Sequence, residues 1–458
     1  MSEPFSFSID PVKVDKVETT HRRIVTAIPA PGTRGIMERI ARHESSNAMD
    51  QPPVIWDRAN GYQIFDPYGN AWIDFSSTIF VANCGHAHPH MVKTLQEQAE
   101  KLCHAYTYPT EIRAQYLEKL IAFTPANLTK ASLFSTGAEA SERAIKLARL
   151  YGLRDDRKRR TIIGFDGNFH GKTLGAQMAG GYHEQKHWIG YHDPAMRHLP
   201  FPYPWVLEAE GITGREMFTR DITKLGETTD LDDVIALILE SYQGWGGIFY
   251  PTDYVQAVRE WTAERDALLI FDEIQAGFGR CGTLFAYEQY GVEADLVTCG
   301  KGVSGSMPLS VVLGRGEIID LDPAYTSSHG GHPLSCAAGL ANIEIFETEN
   351  LVSESARKGE IVRREINRWK QKTPERIGRV LGNGLLWGVF LTKENGEELD
   401  PLFCDHVVER CLRKGVFHIR TGRGTLKLGP PLTIPDDALI EGLQVTGEAI
   451  VEVAAERR

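Results

Sequence analysis

Three short stretches of this sequence place reactive side chains next to apolar runs. In "ALLIFDEIQ" (267–275) the run ends in Asp272 and Glu273, and in "VTCGKGVSGS" (297–306) Lys301 follows a second apolar run among small residues. A strand that ends in Asp-Glu is typical of the magnesium site of a nucleoside triphosphatase. A strand-end aspartate can equally hold an organic cofactor. The same carboxylate supports both hypotheses, and other motifs must decide between them.

The triphosphatase hypothesis requires a second motif, G-x-x-x-x-G-K-[ST], after an earlier strand. The segment "DGNFHGKT" (166–173) ends correctly, but Asp166 stands where the first glycine of that motif belongs. An acidic side chain there would point into a loop whose backbone N–H groups must bind phosphate anions. The sequence therefore disfavours nucleotide hydrolysis.

The third stretch, "FSTGAEASERAIKLAR" (134–149), has the pattern of a strand, a small-residue turn and a helix. The backbone N–H groups of Thr136, Gly137 and Ala138 would lie at the N-terminus of that helix, where unpaired donors and the helix dipole favour an anion. Many α/β proteins turn in this way without binding a ligand, so this motif decides little by itself.

Together the three stretches supply the parts that pyridoxal 5'-phosphate (PLP) requires. The turn would bind the phosphate, Lys301 would lose its proton and form a Schiff base with the aldehyde, and Asp272 would keep the pyridine nitrogen protonated. An ordinary surface lysine beyond a strand end is the alternative for Lys301. We predict PLP as the cofactor.

The elements that must position these residues alternate along the middle of the chain. Helical patterns such as 138–152 separate six apolar runs, at 131–136, 161–165, 234–240, 267–273, 295–300 and 309–314. This alternation predicts an α/β fold whose mostly parallel sheet has helices on both faces and binds ligands at the carboxyl ends of its strands. A β-hairpin is predicted at 57–75, and the tail predicts a separate α+β lobe.

The chain resembles the class III PLP-dependent aminotransferases over nearly its whole length. Six motifs carry the resemblance, in the family's order and spacing: "GNAWIDFSSTIFVANCGHAHP", "STGAEASERAIKLAR", "NFHGKT", "IFDEIQAGFGRCGTLFAYEQYGVEADLVTCGKGVSGSMPLS", "HGGHPLSCAAGLA" and "LGPPLTI". The resemblance implies the PLP-dependent transferase fold of type I, with a large domain of mostly seven-stranded sheet and a small α+β domain built from both termini. It implies an N-terminal part of the small domain at 1–80, a large PLP-binding domain at 81–344 and a C-terminal part of the small domain at 345–458.

Residue by residue, the resemblance implies a cofactor site with two catalytic members. Lys301 matches the Schiff-base lysine and proton shuttle, and Asp272 matches the partner of the pyridine nitrogen. Phe169 stands where the family stacks an aromatic ring on the cofactor. Ser328 replaces the usual threonine that reaches the phosphate of the neighbouring subunit, which implies a homodimer. The predicted cofactor-binding set is Thr136, Gly137, Ala138, Phe169, His170, Glu240, Asp272, Gln275, Lys301 and Ser328.

The substrate side differs from that of the 4-aminobutyrate aminotransferases in this family. Lys172 and Lys427 stand where those enzymes have carboxylate-binding arginines, and Trp245 replaces a glutamate. A lysine lacks the two-pronged fork of arginine. Arg420 has the spacing of the mobile arginine of amine:pyruvate and β-alanine:pyruvate aminotransferases, with Arg423 and Lys427 as rivals and a plain surface arginine as the alternative. The predicted substrate-binding residues are Ile79, Phe80, Trp245, Arg420 and Lys427.

The resemblance implies a ping-pong transamination from an ω-amino acid or primary amine to an α-keto acid, either pyruvate or 2-oxoglutarate. A PLP-dependent amino-acid racemase or epimerase of the same family is the alternative. A non-catalytic protein with this fold is disfavoured, because Lys301 and Asp272 are both present.

Composition narrows the partners and the compartment. The net charge of -11 argues against nucleic-acid binding. Seven scattered cysteines without a Cys-x-x-Cys pair, a polar N-terminus and the lack of a long apolar stretch predict a cytoplasmic protein that makes no membrane contact. "HAHPH" (86–90) has the pattern of a metal-binding tract, but the family that the chain resembles uses this loop without a metal. We expect no metal, and we expect His329 and His332 to shape the cofactor loop.

Overall fold

The computed structural model of the chain describes residues 5–45, 51–154, 156 and 158–457. Its strands are β1 (Val17–Glu18), β2 (Arg23–Ile24), β3 (Arg58–Asn60), β4 (Gln63–Phe65), β5 (Ala71–Asp74), β6 (Lys130–Phe134), β7 (Thr161–Phe165), β8 (Met196–Leu199), β9 (Val234–Glu240), β10 (Tyr242–Gln243), β11 (Ile248–Phe249), β12 (Leu268–Asp272), β13 (Leu296–Cys299), β14 (Ser310–Gly314), β15 (Ile377–Asn383), β16 (Leu386–Leu391), β17 (Val416–Phe417) and β18 (Thr425–Leu428).

The helices are α1 (Thr33–His43), α2 (Ser77–Phe80), α3 (Pro89–Lys101), α4 (Glu111–Phe123), α5 (Gly137–Gly152), α6 (Leu174–Ala179), α7 (Pro204–Glu210), α8 (Gly214–Gly226), α9 (Thr252–Glu264), α10 (Gly316–Ile319), α11 (Pro333–Thr348), α12 (Leu351–Lys372), α13 (Pro401–Arg413) and α14 (Asp436–Glu456). Parts of the predicted small domain, namely residues 1–4, 46–50 and 458, lie outside the described residues.

The chain divides into two compact units. The first unit comprises residues 1–88, 245–247 and 353–458, and the second comprises residues 89–244 and 248–352. Each unit has sheets of its own, and the candidate cofactor residues all belong to the second.

The second unit is built on a seven-stranded sheet with the order β6-β14-β13-β12-β9-β7-β8. Strand β14 runs antiparallel to its neighbours β6 and β13, and the other pairs are parallel. The predicted α/β fold with a mostly parallel sheet is therefore confirmed. All six predicted apolar runs form strands of this sheet.

The seventh strand, β8, was not predicted from the sequence. Its four residues, "MRHL", place two polar side chains between two apolar ones, and the strand lies at one edge of the sheet. In contrast, every residue of the central strands β9 and β12 is buried. A strand that is covered on both faces has the continuous apolar run that sequence analysis detects, whereas a short edge strand does not.

The first unit contains two further sheets. One has the order β1-β2-β5-β4-β3, with β17 added to β5 in parallel, and the other has the order β15-β16-β18. Strands β4 and β5 pair antiparallel across the "PYGN" turn, which confirms the predicted hairpin. Among the described residues, no helix is both long enough and apolar enough to cross a membrane.

Candidate active site

A cavity of about 260 Å³ lies in the second unit, where β9, β12 and β13 reach their carboxyl ends. It has the position that ligands take in parallel sheets. The residues that line it are Gly137, Ala138, Phe169, His170, Gly171, Lys172, Glu240, Asp272, Ile274, Gln275 and Lys301. The cavity therefore brings together most of the predicted cofactor residues from five separate segments of sequence.

Asp272 is the last residue of β12 and is only 4% exposed. Its Oδ2 lies 2.7 Å from Nδ1 of the buried His170, and its Oδ1 accepts a hydrogen bond from the N–H of Ile274 at 3.0 Å. The Nε2 atom of His170 is buried without a hydrogen-bond partner among the described residues. The imidazole thus orients the carboxylate, while its own Nε2 atom makes no hydrogen bond to the described part of the chain.

The adjacent carboxylate, Glu273, belongs to a different environment. It accepts hydrogen bonds from the N–H groups of Ala286 at 3.0 Å and Tyr287 at 2.8 Å, and from the hydroxyl of Ser241. Burial raises the pKa of Glu273 to about 8. Because successive strand side chains point to opposite faces, the Asp-Glu pair separates into one carboxylate that lines the cavity and one that stabilises the fold behind it.

Lys301 follows β13 by two residues and has a φ angle of 45°. A non-glycine residue in this left-handed region costs about 1–2 kcal/mol, and such residues concentrate at functional sites. Burial lowers the pKa of the Lys301 amine, although the negative charges of Asp272 and Glu240 oppose the shift. A lysine with a lowered pKa is the form that can act as a nucleophile or a base.

Glu240 ends β9 and is 5% exposed. Its Oε2 accepts a hydrogen bond of 2.9 Å from the N–H of Phe169, which orders the turn that carries both Phe169 and His170. Burial raises the pKa of Glu240 to about 7, and the charge of Asp272 adds to the rise while His170 opposes it. The ring of Phe169 is 41% exposed and lines the cavity.

The N-terminus of α5 contributes Gly137 and Ala138 to the cavity wall. Thr136 caps this helix in a capping box with Glu139, whose Oε2 accepts the N–H of Thr136 at 2.9 Å. The Thr136 N–H, one of the three predicted anion donors, is therefore engaged within the chain. Of the three predicted donor residues, Gly137 and Ala138 line the cavity.

Two more predicted cofactor residues occupy different places. Gln275 lines the cavity, and its Oε1 accepts a hydrogen bond of 3.0 Å from the hydroxyl of Tyr242. Ser328 lies exposed on the loop before α11 and does not line the cavity of its own chain.

The predicted substrate residues Ile79 and Phe80 belong to the first unit, in a segment with unusual backbone geometry. Ser77, Thr78, Ile79 and Phe80 all have positive φ angles, between 46° and 67°. Such a left-handed turn is strained for non-glycine residues, above all for a β-branched isoleucine. The Ser77 hydroxyl donates to the carbonyl of Gly429 at 2.7 Å, which helps to hold the turn.

Lys427 and Arg420 are both largely buried in the first unit and already have partners. The Nζ of Lys427 lies 4.6 Å from the centre of the Phe80 ring. Arg420 donates from Nη2 to Oδ2 of Asp405 at 2.9 Å, and its guanidinium lies 5.4 Å from the ring of Phe5. In this structure the predicted carboxylate-binding arginine is therefore paired with a carboxylate of its own chain.

Trp245 also lies in the first unit. Its ring is 5.9 Å from that of Phe390 and 5.6 Å from the guanidinium of Arg423. This cation–π contact places Arg423, the alternative to Arg420, beside Trp245.

Ile274, like Gly171, lines the cavity and was missed by sequence reasoning. A side chain on Gly137 or Gly300 would come within 2.9 Å or 3.1 Å of its atoms, so Ile274 packs tightly between the α5 turn and the turn that carries Lys301. An isoleucine that follows a buried strand has the signature of a core residue, and the sequence holds no signal that distinguishes the two roles.

Comparisons with known proteins agree on one family. The family model "Aminotransferase class-III" matches residues 45–450. The chain is 33% identical to a 2-aminoadipate transaminase of Pseudomonas putida over 88% of this chain and 96% of that protein. It is 30% identical to an alanine/serine racemase of Pyrococcus horikoshii over 97% and 96% of the two chains. A thermostable (S)-enantioselective ω-transaminase from Thermomicrobium roseum superposes with a TM-score of 0.82 at 28% identity, over 91% and 98% of the chains.

Proposed function

Because this chain belongs to the class III aminotransferases, which use PLP, we propose that it transfers an amino group from an ω-amino acid or primary amine to pyruvate or 2-oxoglutarate. The reaction would be ping-pong, with the amine and the keto acid taking turns at one site. The observation that carries the proposal is the single cavity that contains Lys301, Asp272 and His170.

The cavity fits PLP in the chemistry of its donors. It offers an amine for the aldehyde, a buried carboxylate for the pyridine nitrogen, and the start of a 16-residue helix for the phosphate. The Nε2 atom of His170, buried and without a partner among the described residues, supports a bound polar group at this place. When bound, PLP supplies an electron sink for the charge left when the substrate loses a proton from its amine-bearing carbon.

The chain's own residues would divide the remaining work. Asp272, oriented by His170, would pair with the pyridine nitrogen and keep it protonated. Lys301 would hold the cofactor covalently and then, as a neutral amine, move a proton at Nζ. Phe169 would cover one face of the pyridine ring, and Glu240 fixes its backbone. Gln275 would lie near the ring hydroxyl.

On the substrate side we assign recognition of the keto-acid carboxylate to Arg420. The bond to Asp405 supports a role in which the guanidinium exchanges one carboxylate for another. We also assign substrate binding to Ile79, Phe80, Trp245 and Lys427, whose side chains are bulky and mostly apolar. The left-handed turn at 77–80 is the kind of strained segment that functional sites retain.

The proposal includes a cytoplasmic homodimer. The exposed position of Ser328 supports a role outside its own chain's cavity, at the cofactor phosphate of the neighbouring subunit. The seven cysteines are thiols rather than members of disulfides, which agrees with a reducing compartment.

The test compares two lysines of the same cavity. We expect Lys301→Ala to remove the visible absorbance band of the lysine-linked cofactor and the release of carbonyl product from the amine. Lys172→Ala, at a second lysine that lines the cavity, should keep the band. A band that persists in Lys301→Ala would refute the assignment.

A racemase or epimerase is the second candidate, because the Pyrococcus horikoshii relative is named for that reaction. The two functions differ in their products. With amine donor and no acceptor, the transaminase releases one equivalent of carbonyl product per active site, whereas a racemase inverts the substrate and releases none.

A further inference from the structure

Three imidazoles come together in the second unit, outside the cofactor cavity. One ring nitrogen from each of His104, His329 and His332 lies within 4.8 Å of the others. The centre of the His104 ring lies 5.0 Å from that of His329 and 5.4 Å from that of His332, and the centres of the His329 and His332 rings are 5.8 Å apart. We propose that this histidine cluster is a binding site for a zinc-like transition-metal ion.

The backbone builds the cluster from two distant segments. His329 and His332 flank the two glycines of "HGGH", and the N–H of His332 donates to the carbonyl of His329 at 3.1 Å, which closes the turn. A side chain at Gly330 would lie 2.5 Å from the carbonyl of Leu133. Only glycine allows this close approach, so the turn that pairs the two rings is fixed by the fold.

The third ring is brought in by helix packing. His104 lies between α3 and α4, and His332 immediately precedes α11, which packs against both helices. The contact is close, since a side chain at Gly339 of α11 would lie 2.5 Å from the ring of Tyr116 on α4. The rings of His104 and His332 are therefore held near each other by rigid elements.

The donor atoms favour one class of ion. The cluster consists of imidazoles alone, and the Nδ1 atom of His332 is buried without a hydrogen-bond partner among the described residues. Imidazole nitrogens suit Zn²⁺, Ni²⁺, Co²⁺ and Cu²⁺, whereas Mg²⁺ and Ca²⁺ require oxygen ligands. Three histidines leave the fourth tetrahedral position to water.

Only small movements separate the observed geometry from a coordinated one. Zn–N bonds of about 2.0–2.1 Å place the nitrogens of a tetrahedral site about 3.3 Å apart. Since the rings of His104 and His329 are exposed in the single chain, side-chain rotations on the order of 1 Å can close the gap from 4.8 Å. The bound ion would tie the loop before α11 to the segment that follows α3.

The test measures Zn²⁺ bound to the cofactor-loaded enzyme after equilibrium dialysis, with mass spectrometry of the metal. We expect one Zn²⁺ per chain at micromolar concentration, and at least a tenfold loss of affinity in His104→Ala and in His332→Ala. His187→Ala, at a histidine outside the cluster, should retain the ion. Cys103→Ser should also retain it, because the exposed thiol beside His104 is not one of the three ligands.

A second measurement guards against misfolding of the variants. Zn²⁺ should raise the midpoint of thermal unfolding of the wild-type enzyme by a few degrees, and it should leave that of a folded His104→Ala variant unchanged. Wild-type enzyme that binds no stoichiometric Zn²⁺ would overturn the proposal. Undiminished binding by both histidine variants would also overturn it, because the ion would then lie at the cofactor or elsewhere. Loss of binding in Cys103→Ser would overturn it as well.

Discussion

The substitution Asp272→Asn tests the proposed electronic role of the strand-end carboxylate. The side chain keeps its shape, and its oxygen can still accept the N–H of Ile274, but the negative charge beside His170 is lost. Because Asp272 is only 4% exposed, solvent cannot replace that charge. Removing one preorganised electrostatic partner from an active site costs about 2.7–4 kcal/mol of transition-state stabilisation.

That cost predicts the size of the kinetic effect. At 1.36 kcal/mol per factor of ten, a loss of about 2.7–4 kcal/mol slows the amine half-reaction by roughly 10²–10³-fold. The assay follows the release of carbonyl product from the amine in a single turnover, with the keto acid omitted and cofactor loading checked by absorbance. A fully loaded Asp272→Asn enzyme whose rate lies within about tenfold of the wild-type rate would refute the reasoning.

Glu273→Gln is the matched control, one residue further along the chain. Because burial raises the pKa of Glu273 to about 8, the neutral carboxyl is accessible near neutral pH, and glutamine has nearly the same shape. We expect a lower free energy of unfolding, since glutamine cannot reproduce all of the hydrogen bonds that Glu273 makes with Ser241, Ala286 and Tyr287. The half-reaction rate should stay within a few-fold of wild type.

Three further substitutions have distinct outcomes. Glu240→Gln should flatten the pH dependence of the free energy of unfolding of the cofactor-free protein. The pKa of Glu240 is raised from 4.5 to about 7 by folding, so its contribution to stability is fully present below pH 4.5 and is lost as the pH rises through 7. The change is roughly 3 kcal/mol, which urea unfolding at several pH values measures. Ser328→Ala should weaken PLP binding by about 10–100-fold through the loss of a hydrogen bond to a charged group, while Ser327→Ala leaves it unchanged in a fluorescence titration. Arg420→Lys should raise KM for pyruvate by about tenfold or more, because lysine lacks the fork, and leave the amine half-reaction rate unchanged.

Each of these has a clear contrary result. An unfolding free energy of Glu240→Gln that varies with pH as steeply as that of wild type would show that Glu240 ionises normally in the fold. Equal PLP affinities in the two serine variants would remove Ser328 from the phosphate site. An unchanged KM for pyruvate in Arg420→Lys would indicate that Arg423 or Lys427, rather than Arg420, binds the carboxylate.

The sequence predicted which residues line the candidate cofactor cavity better than it predicted their contacts. Asp272 and Lys301 could be found because each follows an apolar strand, and parallel strands meet at their carboxyl ends. Their neighbours depend on contacts that no local pattern contains. The bond between Thr136 and Glu139 alters which N–H groups face the cavity. The left-handed turn at 77–80 has no glycine to signal it.

The histidine cluster is a second case in which the sequence did not reveal which side chains meet. The "HAHPH" tract attracts attention in sequence, but its outer members turn to different carboxylates, His86 to Asp74 at 2.8 Å and His90 to Glu344 at 2.5 Å. His104 and His332, which do come together, lie far apart in sequence. Proximity in sequence was a poor guide here because the packing of α3, α4 and α11 determines which rings meet.

The place of β6 in the sheet has a consequence for biosynthesis. This edge strand pairs with β14, whose residues Ser310–Gly314 are made about 180 residues after it. At roughly 5–20 residues per second, a ribosome needs about 10–40 s to make the intervening chain. Until then the strand that leads into the α5 turn has no partner in the sheet. The nascent chain therefore acquires its complete cofactor cavity late in translation, after Lys301 itself has been added.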